Sequence, residues 1–164
     1  MTLYMPNGGM GTAILQVVTS SSDTATSGNT NTWTASPASV AITPQSTNNH
    51  ILIYAHTTIA SNTKEDVLSR FKRGSTVIAD SGTNAHGVGY GVGSLTETWA
   101  GYSFNDWWKD SPSSTSAITY THEVKSNRGD TNYTIWINRG LQTGTSHSDA
   151  FTTNAFMMAM EVEG

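Results

Sequence analysis

The sequence predicts an all-β chain, a jelly-roll β-sandwich of about eight to ten antiparallel strands. Three observations carry that expectation. Apolar residues recur at every second position in short runs, and no window holds the 3.6-residue apolar period of a helix. The runs are about a dozen residues apart and are bounded by Gly, Pro, Asn, Asp and Ser. Charged residues make up only 12% of the 164, and Ser, Thr, Asn and Gly fill the gap. Polarity without charge suits exposed strand faces, where Thr is favoured over Lys and Glu. Five Trp, six Tyr and four Phe argue for a folded chain rather than a disordered one. An immunoglobulin sandwich is disfavoured, because there is no Cys–Trp–Cys framework and the strands are too many.

Residues 1–12 read as an N-terminal arm ahead of one domain over 13–164. Pro6, Gly8, Gly9 and Gly11 block regular structure, while Leu3, Tyr4, Met5 and Met10 are apolar anchors. Such an arm suits docking onto a partner or a neighbouring subunit. Ala13 to Thr19 is the first strand, followed by a polar loop from Ser20 to Asn31. Thr32–Ala35, carrying Trp33, and Val40–Thr43 are short strands. His50 to Ala60 alternates most clearly, with Ile51, Ile53 and Ala55 opposite Leu52, Tyr54 and His56. Val67–Lys72 and Thr76–Ala79 form a hairpin around Arg73-Gly74-Ser75. Lys64 to Leu68 has room for one helical turn at most. Asp80 to Gly93 is Gly-rich, and Leu95 to Phe104 is a strand carrying Trp99. Asn105 to Pro112 reads as a loop. Ser116 to Lys125 is a strand with Ile118, Tyr120, His122 and Val124 on one face. Thr131 to Asn138 places Tyr133, Ile135 and Ile137 opposite Trp136. After a loop from Arg139 to Ser148, Phe151 to Val162 is the last strand.

That last strand is large on both faces: Phe156, Met158, Met160 and Val162 on one, Met157, Ala159 and Glu161 on the other. A strand buried once in its own core and once in an interface explains this, and Phe156, Met157, Met158 and Met160 are the candidate oligomer contacts. Clustered Met suits an adaptable interface.

Composition excludes several functions. With no cysteine there is no disulfide framework, thiolate metal site or cysteine nucleophile. Eight basic against twelve acidic residues, net −4, leave no basic stripe for nucleic acid. The apolar runs are too short for a membrane span, and Met1 to Pro6 lacks the basic and apolar regions of a signal peptide. The protein is expected to remain in the cytoplasm until lysis or packaging releases it.

No chemistry-bearing motif stands out. The histidines at 50, 56, 86, 122 and 147 lack ligand spacing, and His122 and Glu123 point to opposite faces of a strand. There is no Gly-x-Ser-x-Gly elbow and no calcium loop. Gly87 to Gly93 lacks the Lys-Ser/Thr of a phosphate loop. Arg128-Gly129-Asp130 reads as a hairpin turn, and the Asn132 sequon lies in a strand without a secretory signal. No cofactor, metal or catalytic set is expected. Asn105 to Asp110 is the segment with a binding character. Trp107 or Trp108 can offer a sugar ring a flat face, and Asn105, Asp106 or Asp110 can hold its hydroxyls. The alternative is that adjacent Trp residues point to opposite faces, one filling the core and the other an interface.

Several segments carry a resemblance: Ile14-Leu15-Gln16-Val17-Val18, Ile42-Thr43-Pro44-Gln45-Ser46 leading to His50-Ile51-Leu52-Ile53, Phe71 to Ala79, Asp110-Ser111-Pro112 and the Met160-Glu161-Val162 ending. In this order, from about residue 13 to 164, they resemble small virion proteins and tail-fibre modules of marine and cyanobacterial tailed phages. The resemblance implies a non-enzymatic protein on the outer surface of the particle. By analogy it implies a homotrimeric jelly roll like those of the C1q and tumour-necrosis-factor group, whose last strand packs near the three-fold axis. The chain lacks the shaft, repeats and coiled coil of a long fibre. That favours a capsid decoration or cement protein, or a short head appendage, with Leu3, Tyr4, Met5 and Met10 docking on the major capsid protein or another virion protein. The alternative is a receptor-binding tip that recognises host surface glycan.

Overall fold

A computed structural model describes residues 13–29, 31–61, 67–80, 102–126, 134–139 and 153–164. These residues form ten strands and no helix. In chain order they are β1 (Ile14–Ser22), β2 (Thr26–Asn29), β3 (Thr34–Ile42), β4 (His50–Ser61) and β5 (Val67–Arg73). β6 (Thr76–Asp80), β7 (Tyr102–Asp110), β8 (Ile118–Ser126), β9 (Thr134–Ile137) and β10 (Ala155–Val162) complete the set.

The pairing is nested and antiparallel throughout. The β5–β6 hairpin turns at Gly74, whose φ of 57° suits a residue without a side chain. Around it β4 pairs β7, β3 pairs β8 and β1 pairs β10. Cross-pairing of β10 with β4 and of β8 with β5 gathers the strands into two sheets. One runs β1-β10-β4-β7 and the other β3-β8-β5-β6. The protein is an all-β sandwich of two antiparallel sheets, as the alternation predicts.

Inward residues of both sheets supply the core. Ile51, Ile53, Ala55, Met157 and Ala159 of the first sheet pack on Val40, Ile42, Phe71 and Tyr120 of the second. A second cluster joins Ile59, Phe104, Ile135 and Ile137 to Val67 and Val124. Each buried large aliphatic side chain contributes about 1.5–3 kcal/mol, so this interior outweighs any surface term.

β9 and β10 lie along one edge of β4. Ile59 of β4 pairs with both Tyr102 and Ile137, so β9 occupies the edge opposite β7, where β10 also lies. β2 follows β1 in the same way, pairing with β9. Asn138 sits at the joint where both lines break. It is fully buried at φ 62°, a left-handed conformation that Asn tolerates. Its Nδ2 donates to the carbonyls of Ser22 (2.9 Å) and Thr24 (3.2 Å), and its own N–H donates to Thr58 O (2.9 Å).

Three expectations are corrected. The polar stretch from Ser20 to Asn31 is not all loop, because β1 runs on to Ser22 and β2 occupies Thr26–Asn29. The two short strands around Pro37 are one strand, β3, whose register shifts between Ala35 and Ser39. β3 is an edge strand, where the missing N–H of Pro37 is tolerated at a bulge. The Asn105–Pro112 loop is instead mostly β7, paired residue for residue with β4 from Ile51 to Ile59. The arm anchors Leu3, Tyr4, Met5 and Met10 lie outside the described residues. So do the Gly-rich stretch after Asp80, Trp99, the turn near Lys64 and Arg128-Gly129-Asp130.

Candidate functional site

Alternation along β7 divides the predicted sugar-binding group. Phe104, Asp106, Trp108 and Asp110 face the sandwich interior, while Asn105, Trp107 and Lys109 face outward. Asp106, Trp108 and Asp110 are therefore not partners of Trp107 at one site. Trp108 packs against the core cluster. The two aspartates reach across to the opposite sheet.

Asp110 accepts from Arg73 Nη1 (3.1 Å) and from the Tyr120 hydroxyl (2.7 Å). Burial, then the hydrogen bond and the charge of Asp110, push the Tyr120 phenol far above its ordinary range, and Arg73 pulls weakly the other way. Tyr120 therefore stays a neutral donor. One turn of the pleat further in, Asp106 Oδ2 lies 2.7 Å from His122 Nε2, and neither side chain touches solvent. The imidazole sits between Phe71 and Phe104, with ring centroids at 5.2 and 6.3 Å. A carboxylate–imidazole pair is half of an acid–base apparatus, but a substrate atom must come within hydrogen-bond reach of it. This one is sealed between the two apolar clusters, so its work is to join the sheets. Among the described residues no group of three His, Asp or Glu side chains can hold a metal ion.

A third buried acid anchors the sheet's end. Glu161 of β10 accepts from Asn49 Nδ2 (2.6 Å), Gln16 Nε2 (2.5 Å) and the Gln45 N–H (2.7 Å). Burial raises its carboxyl pKa, but the donors Asn49, Gln16 and the backbone of Gln45 and Ser46 outweigh it and hold the group below the ordinary glutamate value. Glu161 thus ties β1 and the β3–β4 turn to the last strand.

The outer face of this same sheet is the candidate functional surface. Strand register builds it in rungs. Val17, Met160, Leu52 and Lys109 form one, Thr19, Met158, Tyr54 and Trp107 the next, and Ser21, Phe156, His56 and Asn105 the third. Trp107 is 51% exposed and Val17 49%. Phe156, Met158, Met160, Leu52 and Tyr54 are half-buried, with no strand layer over them among the described residues. Trp107 packs on Tyr54 with ring centroids 4.6 Å apart, and Tyr54 lies 6.1 Å from Phe156. Asn105 Oδ1 accepts from the Tyr54 hydroxyl (2.7 Å) and from His56 Nδ1–H (2.9 Å), which fixes that corner.

Of the candidate oligomer contacts, Phe156, Met158 and Met160 lie on this face. Met157 does not: it is fully buried beside Ala55 and Ile53 in the protein's own core. Sequence reasoning found the β10 side of the face and expected Trp107 and Trp108 to point to opposite faces, but missed Leu52 and Tyr54. The outward positions of His50–Ala60 were the available signal, since Leu52 and Tyr54 alternate with the core residues there.

The other sheet faces outward with different chemistry. Glu123 bridges Arg70 and Lys72, at 2.5 and 3.3 Å. Arg70 and Lys125 lie over the Trp33 ring, 4.4 and 4.9 Å from its centroid. No protein-family model matches the chain, and no curated protein matches it.

Proposed function

We propose that this protein is a non-enzymatic structural protein on the outer surface of a phage particle, a homotrimer that decorates or cements the capsid or forms a short head appendage. One observation carries the assembly half of this reading: among the described residues, nothing covers the rungs of Val17, Met160 and Leu52, and of Met158, Tyr54 and Trp107, on one sheet. With strands about 4.8 Å apart and same-face residues about 6.8 Å apart, three rungs on four strands span roughly 400 Å². Seven of the twelve positions are apolar: Val17, Met160, Leu52, Met158, Tyr54, Trp107 and Phe156. A patch of a few hundred Å² is often functional, which supports an interaction surface here. A second copy brings the same apolar face. The nested pairing about the β5–β6 hairpin supports reading the sandwich as a jelly roll. The phage setting comes from the sequence resemblance. In this reading the arm residues Leu3, Tyr4, Met5 and Met10 supply docking contacts, and nucleic acid is not a partner.

A second reading, a tip that recognises host glycan, is favoured by Trp107 itself. Its half-exposed ring stands beside Asn105 and His56, whose orientations are fixed by hydrogen bonds. An aromatic plate flanked by fixed polar groups suits a sugar ring.

The test is the mass of the purified protein by light scattering, with its copy number in purified particles. A trimer present in amounts comparable to the shell protein is expected of a decoration protein, and a faint band of an appendage. A strict monomer at high concentration overturns the assembly reading, and absence from the particle overturns the virion reading. Binding to a glycan array by the purified protein, lost in Trp107→Ala at unchanged mass, would favour the second reading, in which Trp107 stays exposed.

A further inference from the structure

We propose that residues 1–12 of one copy seat in a groove on the neighbouring copy, at the end of the apolar face where β1 begins. The inference rests on the homotrimer reading above and specifies its contacts. The groove has a volume of about 580 Å³; Ile14, Leu52, Met160 and Val162 give it apolar walls, and Lys109 and Glu163 also line it. Leu52, Met160 and Lys109 belong to the first rung of the outer face, so the groove continues that face to the sheet's end.

Area is the first argument. A stable interface needs about 800 Å² from each partner. The rungs supply roughly half of that by strand spacing. The remainder must come from surface continuous with the face, and the groove is such a surface. Tyr4 alone can bury about 150–250 Å².

Direction is the second. The Glu163 N–H donates to Ala13 O at 3.0 Å, so the chain is still held beside β10's end at residue 13. Ala13 thus places the start of residues 1–12 at the end of the sheet, beside the groove that Ile14 and Glu163 line. Twelve residues reach about 40 Å when extended, enough to cross to a neighbour.

Chemistry is the third. Met1 to Thr12 carries no charged side chain and offers Leu3, Tyr4, Met5 and Met10. Those side chains match the Leu52, Met160 and Val162 walls, and Gly8, Gly9 and Gly11 let the backbone bend to follow a groove.

The chain has no cysteine, so introduced ones report without background. Two full-length chains distinguished by a tag are co-expressed, one carrying Met5→Cys and the other Met160→Cys. A second set pairs Tyr4→Cys with Leu52→Cys. Each is oxidised and run without reductant, and its native mass is measured. Covalent dimers joining the two differently tagged chains are expected in both sets. None is expected when the groove cysteine is replaced by Val77→Cys, on an exposed site of the other sheet. An intact trimer without the cross-link, or with as much of it at position 77, overturns the proposal and leaves the trimer standing. A monomeric mass removes the trimer reading and the proposal together.

Discussion

On the outer face of the β1-β10-β4-β7 sheet, successive rungs read Val17, Met160, Leu52 and then Met158, Tyr54, Trp107. On the outer face of the β3-β8-β5-β6 sheet they read Ala41 and Thr119, then Ser39, Thr121 and Lys72, then Ala35, Glu123 and Arg70. Both sheets alternate with the same period and bury the same kinds of residue inward. Alternation therefore dictates only which side chains face the core. What stands on the outer side is free to differ, and here it differs by sheet. Arg70, Lys72 and Lys125, three of the chain's eight cations, stand on the second sheet, where Glu123 and Trp33 hold them. That face is built for water. The first is largely apolar, and in the reading proposed above a second copy covers it.

The largest test is to place one charge on each face. Met158→Asp puts a carboxylate among Tyr54 and Thr19 at the centre of the apolar rungs. Burying it unpaired in an interface costs on the order of 3 kcal/mol. The proposed trimer should dissociate to folded monomer by light scattering. Thr119→Asp, on the exposed side of the second sheet, should leave mass and stability within about 0.5 kcal/mol of the parent. Equal responses would erase the distinction between the faces.

Next comes Glu161→Gln, which separates loss of the fold from loss of a face. The amide places a donor among donors, and the loss of charge-assisted bonds should cost about 2–3 kcal/mol in urea unfolding. The pH dependence has a definite sign. The native carboxyl has a lowered pKa, so its stabilisation is complete above the unfolded value of about 4.3 and fades as pH falls through the lower native value. Glu161→Gln should flatten that part of the stability profile against pH.

Trp107→Ala should weaken association by about 2 kcal/mol, as a central aromatic contact does, read as a shift in the dissociation midpoint on dilution. Folding stability should change less, because half of the ring is already outside. The smallest effect belongs to Glu123→Gln. Its bridges to Arg70 and Lys72 are partly exposed, so the loss should be under about 1 kcal/mol and should shrink further in high salt.

Strand alternation made most of the frame legible. His50–Ala60, the Val67–Ala79 hairpin and the inward set Ile118, Tyr120, His122 and Val124 stand in the structure as the sequence predicts. β7 was not legible for a physical reason. Two of its inward positions are aspartates, and an acid facing a core makes sense only beside its partner. Those partners, Tyr120 with Arg73 and His122, come from strands β5 and β8. The clue lay in β8, which sends a phenol and an imidazole into the same interior as Ile118 and Val124. Mistaking β7 for a loop also grouped Trp107 with the wrong neighbours. Asn105 neighbours it on β7, but Tyr54 and His56 join them only through the β4–β7 register.

The buried Asn138 has a practical consequence. Its carbonyl accepts the Thr153 N–H at 3.1 Å, so the chain between them leaves and returns at one clamped point. The same side chain pins the break between β1 and β2. Both β9 and β10 take their register against β4. Loss of this one buried residue would therefore loosen the ends of β1 and β9 and the approach to β10 together.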